Sequence, residues 1–129
     1  GAYQIQAATA GLHARAANAA ETDWEEIDQL YAALEKHTPS PVVTLNRCVA
    51  VSKLKGAEAA LDLIAPLAQR LDGYFYFHGV RGSFLMQLKR NAEARDAFNR
   101  AIALANTPAE AAHIRQHLDQ LAADAKAKN

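Results

Sequence analysis

The sequence predicts an all-α fold: a right-handed solenoid of about seven helices joined as hairpins. Three observations lead there. The first is internal repetition, since residues 41–74 recur as residues 75–108 at a spacing of 34. That shift lays Arg47 on Arg81, Val51 on Leu85, Leu54 on Leu88, Ala60 on Ala94 and Ile64 on Phe98. The second is composition. Thirty of the 129 residues are alanine and only 7% are aromatic, which favours slim helices packed closely together. The third is periodicity, because apolar residues recur at helical spacing between capping residues and prolines instead of alternating.

A two-helix period of 34 residues is that of the tetratricopeptide repeat. In the second copy Gly82, Leu85, Ala94, Phe98 and Ala101 occupy small, large, small, large and small positions, and Pro108 ends the unit. Small residues let antiparallel helices approach, and large ones fill the gap between them. Two residues depart from the pattern: His78 and Arg81 stand where an aromatic and a leucine are usual. The first copy has Cys48 at the small position and Ile64 at the aromatic one. A single domain over residues 1–129 is expected. It divides into a helical pair at 3–38, repeats at 41–74 and 75–108, and a capping helix at 109–125.

Taken in order, residues 3–20 read as a first helix carrying Tyr3, Ile5 and Leu12, with Gly11 inside it. Thr22-Asp23-Trp24-Glu25 is expected to be a capping box with Thr22 as the cap. Trp24, Ile27, Leu30, Tyr31 and Leu34 then form one stripe, and the helix ends near His37 before Thr38-Pro39. Ser40 caps the next helix with Pro41 in its first turn, and Gly56 stops it. A fourth helix is expected from about residue 57 towards 71, kinked or restarted at Pro66. Asp72-Gly73 breaks the chain. Residues 74–88 open with four consecutive aromatics that would suit a strand, but the repeat register assigns them to a helix. Asn91 is expected to cap a sixth helix over 92–105. Thr107-Pro108 opens a seventh, with Ile114, Leu118 and Leu121 on one face and a polar opposite face, as a solenoid cap requires.

Composition narrows the function. Fourteen Lys and Arg balance fourteen Asp and Glu, whereas a module gripping nucleic acid by its phosphates carries a basic excess. One cysteine permits no internal disulfide and fits a reducing cytoplasm. No apolar run reaches the roughly 18 residues of a membrane span. There is no phosphate loop, nucleophile elbow or paired-cysteine metal motif, so an enzyme is not expected. No cofactor is expected either. The chain starts at Gly1 where an initiator methionine would stand, so a piece of something larger is expected.

Several segments together resemble one family. They are Ala2-Tyr3-Gln4-Ile5-Gln6-Ala7-Ala8, His13-Ala14, Thr22-Asp23-Trp24 and Leu30-Tyr31. Ser40-Pro41-Val42-Val43 belongs with them, as do Leu45-Asn46-Arg47 and Val49-Ala50-Val51, then Tyr74, His78, Arg81 and Glu93-Ala94-Arg95. They resemble the tetratricopeptide-like C-terminal extension of bacterial extracytoplasmic-function (ECF) sigma factors, over nearly the whole chain. Thr9, Gly11, Cys48, Gly79 and Gly82 are departures in the size of packed residues. The resemblance implies a cytoplasmic regulatory domain acting in transcription initiation by docking on the sigma domains, on RNA polymerase or on a partner protein. A YCII-related protein is a candidate partner by gene association. Direct nucleic-acid and membrane contact are not implied.

The candidate binding residues are Asn46, Arg47, His78 and Arg81, with His13, Trp24, Tyr31 and Tyr74 beside them. A packed repeat position would partly bury both arginines, and a buried guanidinium needs carboxylates or carbonyls around it. Asp23, Glu26 and Asp62 are the candidate partners. Such a network either fixes helix register or leaves a groove for an acidic peptide or carboxylate. An alternative function is a small anionic ligand sensor with a pocket between the third and fifth helices. Trp24 and Tyr31, seven apart, share a face that packs in the core or lines a partner pocket. The aromatics from Tyr74 to Phe77 exceed what one helix face can bury, so part of them is expected at the surface. His113 and His117 stand at a metal-compatible spacing, but a solvated face is the plainer reading and no metal site is assigned. Cys48 reads as a small core residue, with Arg47 beside it to lower its pKa if it serves as a redox sensor.

Overall fold

The computed structural model describes residues 23–127, which form six α-helices and one short 3₁₀ turn with no strand among them. The expected helix over 3–20, and His13 within it, lie outside the described residues. The helices are α1 (Trp24–His37), α2 (Pro41–Lys55), α3 (Ala57–Ile64), α4 (Phe75–Gln87), α5 (Asn91–Leu104) and α6 (Pro108–Ala127). The chain separates into two compact units, Gly1–Pro66 and Leu67–Asn129.

In the first unit α2 packs on α1 and on α3. The cap of α1 lies one residue later than expected. Asp23, not Thr22, is the N-cap, and its carboxylate accepts the Glu26 amide at 3.0 Å. A carboxylate there satisfies an orphan amide and meets the positive end of the helix dipole at once. Ile27 and Leu34, two turns apart, are buried. Ser40 caps α2 by accepting from the Val42 amide at 3.2 Å, with Pro41 in the first turn. Val43, Leu45, Cys48, Ala50 and Val51 are buried along this helix. Gly56, at φ 99°, closes α2 and opens α3 at once, in a left-handed region that favours glycine.

The expected continuation of α3 to residue 71 does not form. The helix ends at Ile64, and Ala65–Leu67 tightens into a 3₁₀ turn. Pro66 has no amide to offer the preceding turn, and residues 68–73 run on as hydrogen-bonded turns. Leu71 donates to Leu67, and Tyr74 to Leu71.

In the second unit α5 packs on α4, and α6 packs mainly on α5. The aromatic run is helical from Phe75 onward. α4 ends in a Schellman motif: Arg90 donates to the Leu85 carbonyl and Lys89 to Met86, both at 3.0 Å. Lys89 holds the left-handed position at φ 64°, where glycine is usual. The chain therefore enters α5 directly. Asn91 is its first residue and not its cap, while Arg90, at the cap position, pairs with Glu93 at 2.7 Å. α6 opens with Thr107 accepting the Glu110 amide, while Glu110 reaches back to the Asn106 amide. Ile114 and Leu121 are buried, and Leu118 is half-buried.

Helix starts repeat in both registers. Trp24, Ala57 and Asn91 follow one another at 33 and 34 residues, and Pro41, Phe75 and Pro108 at 34 and 33. Residues paired by the shift share burial: Val51 with Leu85, Ala60 with Ala94, Ile64 with Phe98. At Gly82 the spacing is absolute, because a Cβ there would lie 2.7 Å from the Phe98 ring.

Candidate functional site

The strongest polar constellation belongs to the first unit and centres on Arg47. Asp28 and Glu35 are seven residues apart on α1, so they share a face two turns apart. Arg47 on α2 reaches both, with Nε 2.6 Å from Asp28 Oδ1 and Nη1 3.4 Å from Glu35 Oε2. All three side chains are about a quarter exposed or less, at 26%, 18% and 23%. The hydrogen bond that Arg47 donates to Asp28 holds the Arg47 pKa above its ordinary value despite partial desolvation. Oε1 of Glu35 is buried and accepts no hydrogen bond. Two carboxylates facing one guanidinium leave this cluster one negative charge. As it stands, Arg47 braces α1 against α2, and an anionic ligand would have to displace a carboxylate to use it.

Trp24 and Tyr31 lie on the same helix. Trp24 is half-buried, with Lys53 Nζ of α2 5.8 Å from its ring centroid, a cation–π contact across the two helices. Tyr31 is half-buried, and burial pushes its hydroxyl pKa up. Asn46 is half-buried beside Arg47, roughly 100° further round α2, and so addresses another face. A shallow recess at the start of α1 is lined by Asp23, Glu25, Glu26 and Gln29, three of them acidic.

His78 and Arg81 belong to the second unit. His78 is buried, with Nε2 2.6 Å from the Asp72 carbonyl, so this nitrogen carries the proton and donates. The Asp72 carboxylate in turn pairs with Arg100 of α5 at 3.1 Å. These contacts clamp the 68–73 turns onto α4 and α5. Arg81 is half-buried, one turn beyond His78. Tyr74 and Tyr76 are exposed and meet edge to face at 6.3 Å, whereas Phe77 is buried. The surplus of aromatics at this helix start is therefore resolved by leaving two tyrosines at the surface.

Cys48 is fully buried, and burial pushes its thiol pKa up to about 12. Burial and a raised pKa both count against the redox-sensor reading, because a protonated, inaccessible thiol is a poor nucleophile. The Arg47 guanidinium is turned to Asp28 and Glu35 of α1. Among the described residues no three His, Cys, Asp or Glu side chains gather as a metal site.

Sequence reasoning named Asp23, Glu26 and Asp62 as partners for the arginines and missed Asp28 and Glu35. A signal for Asp28 was present. The 34-residue shift carries Asp28 to Asp62 and Asp96, and Arg47 to Arg81 and Arg115, so each arginine follows an aspartate by 19 residues. The pair is closed at Asp28–Arg47. Asp96 and Arg115 are both exposed, and neither forms an ion pair among the described residues.

Comparison with known proteins gives one informative match. The chain is 65% identical over 124 residues to an uncharacterized protein of Rhizobium meliloti (strain 1021), across 96% of this chain and 29% of that protein. The chain thus spans less than a third of the length of the curated relative it matches. No family model matches the chain. No solved structure matches it either.

Proposed function

We propose that this chain is a non-catalytic regulatory interaction domain, a tetratricopeptide-like helical-hairpin solenoid carried as an extension of an ECF-type sigma factor. The observation that carries the solenoid reading is the recurrence of helix starts at 33–34 residues, with Cys48 and Gly82, Val51 and Leu85, and Ile64 and Phe98 buried at equivalent places. α6 suits a terminal helix. The positions equivalent to Gly82 and Leu85 are Gln116 and Asp119, both exposed, and a polar outer face is what end repeats carry. The sigma-factor reading rests on the sequence resemblance, and the greater length of the Rhizobium meliloti relative fits a segment carried on a larger chain. The work proposed is docking on the sigma domains, RNA polymerase or a partner such as a YCII-related protein, in the cytoplasm, without nucleic-acid or membrane contact of its own. No described helix is long and apolar enough to cross a membrane.

The test is a promoter reporter driven by the longer protein with and without this segment. A change in output in either direction is expected: loss if the segment supports the sigma domains, gain if it restrains them. An unchanged output overturns the regulatory role. The alternative, a sensor of small anionic metabolites, would have to draw Arg47 away from Asp28 and Glu35. A rise in melting temperature with an anionic metabolite, and none with a partner protein, would replace the docking reading.

A further inference from the structure

α6 is held on α5 in part by an imidazole. Phe98 of α5 is fully buried with its ring against Gly82 of α4, and His117 of α6 stacks on it, 5.0 Å between centroids and 5° between planes. His113, one turn earlier, meets His117 edge-on at 4.9 Å and 87°. His117 is half-buried and His113 exposed.

The surroundings offer these rings no counter-charge. On α5 the charged side chains are Glu93, Arg95, Asp96 and Arg100, with Glu93 taken by Arg90 and Arg100 by Asp72. On α4 the titratable and charged groups are Tyr76, which is exposed, His78, bonded to the Asp72 carbonyl, and Arg81. On α6 itself Glu110 accepts from the Asn106 amide, Asp124 accepts from the Gln120 side chain, and Arg115, Asp119 and Lys126 are exposed. Among the described residues no carboxylate lies within ion-pair distance of His113 or His117.

We propose that His117, stacked on Phe98 beside His113, is an acid-released latch. With its ring neutral, α6 stays seated on Phe98. When His117 takes a proton, α6 lifts and uncovers Phe98 and the α5 face around it. Burial first, and the charge of His113 second, hold His117 below the ordinary histidine range. A cation is attracted to the face of Phe98, but that attraction does not reverse the shift. The sign follows from the burial of His117 against Phe98 with no carboxylate within reach, which undocking relieves, whereas His113 stays one turn away on the same helix. The undocked imidazole binds protons more readily than the docked one, so docking is at full strength above about pH 6.5 and is lost as pH falls below it through the docked value. This device goes beyond the docking role proposed above and does not depend on it.

The test is hydrogen exchange of the whole chain at about pH 7.5 and about pH 5.5, corrected for the intrinsic pH dependence of exchange. Protection over residues 108–127 is expected to fall several-fold, up to about tenfold, with the α2 amides as internal control. His117→Phe keeps the stack and removes the proton, so its α6 protection should stay level between the two conditions. Equal protection of wild-type α6 at both pH values, or an equal loss in His117→Phe, overturns the latch. A proton-NMR titration of wild-type His117 needs no variant. A midpoint below that of free histidine supports the proposal, and a midpoint at or above it overturns the proposal.

Discussion

At the scale of single residues the first unit turns on Arg47. The guanidinium sits between two carboxylates that are each less than a quarter exposed, and removing it strands both. Breaking a fully buried pair costs about 3–5 kcal/mol, and an exposed pair contributes about 0–1 kcal/mol. Partial exposure places Arg47→Ala between these limits, at about 1–2 kcal/mol of lost stability by urea unfolding. Arg47→Ala combined with Asp28→Asn should recover part of that loss, because one stranded charge is gone. A loss for Arg47→Ala indistinguishable from zero would show that the cluster contributes no net stability. The need for acidic partners was legible in the sequence, since an arginine at a packed position implies them. Which acids was not legible from local spacing. Asp23 and Glu26 are nearer the helix start, but Asp23 is spent on its cap and Glu26 is exposed. The rotation of α1 against α2 makes that choice, and only tertiary packing sets the rotation.

At the scale of elements, helix starts with strong local chemistry were readable and helix ends without it were not. Ser40-Pro41 and Thr107-Pro108 each combine a side-chain acceptor with a residue that needs no donor partner, and both begin helices as expected. Gly56 stops α2 for the same kind of local reason. The end of α4, expected at residue 88, lies at Gln87, but its capping motif was not legible because Lys89, not glycine, takes the left-handed turn. Asn91 looked like a cap because the Schellman turn before it was invisible, and Pro66 ended α3 where a kink was expected. A close helix contact was legible as well. Gly82 at the small position of the repeat faces the large ring of Phe98, and a Cβ would come within 2.7 Å of that ring. Phe98 is fully buried, so the ring has nowhere simple to go. Gly82→Ala is therefore expected to destabilise the protein by about 1–3 kcal/mol through overpacking, even though alanine is the better helix former by about 1 kcal/mol. Thermal unfolding checks the sign. A more stable Gly82→Ala would mean that α4 and α5 can separate at little cost, and Phe98→Leu in the same background should relieve the clash if it is real.

At the scale of the whole molecule, charge and architecture bear on function separately. In the solenoid proposed above the repeated helix starts build a scaffold, and scaffolds of that kind present surfaces for other macromolecules. Charge then decides which kind. Fourteen basic against fourteen acidic residues give no net charge and a sequence pI near 7.1. Three arginines are already paired: Arg47 with Asp28 and Glu35, Arg90 with Glu93, Arg100 with Asp72. The recess at the start of α1 is acidic. Binding to a nucleic-acid backbone depends on releasing counterions with free lysines and arginines, at a cost in affinity that grows with salt. With no net charge and three of its arginines paired, the chain is expected to bind duplex DNA no more tightly than the weak end of the non-specific range, about 10⁻⁴ M. Fluorescence anisotropy with a labelled duplex at about 50 mM and about 200 mM salt checks this. Micromolar binding that weakens steeply between those conditions would reveal a basic path that composition and ion pairing do not show. It would also shift the proposed role from protein docking to direct promoter contact. Absence of binding at both salts would agree with the docking on protein surfaces proposed above.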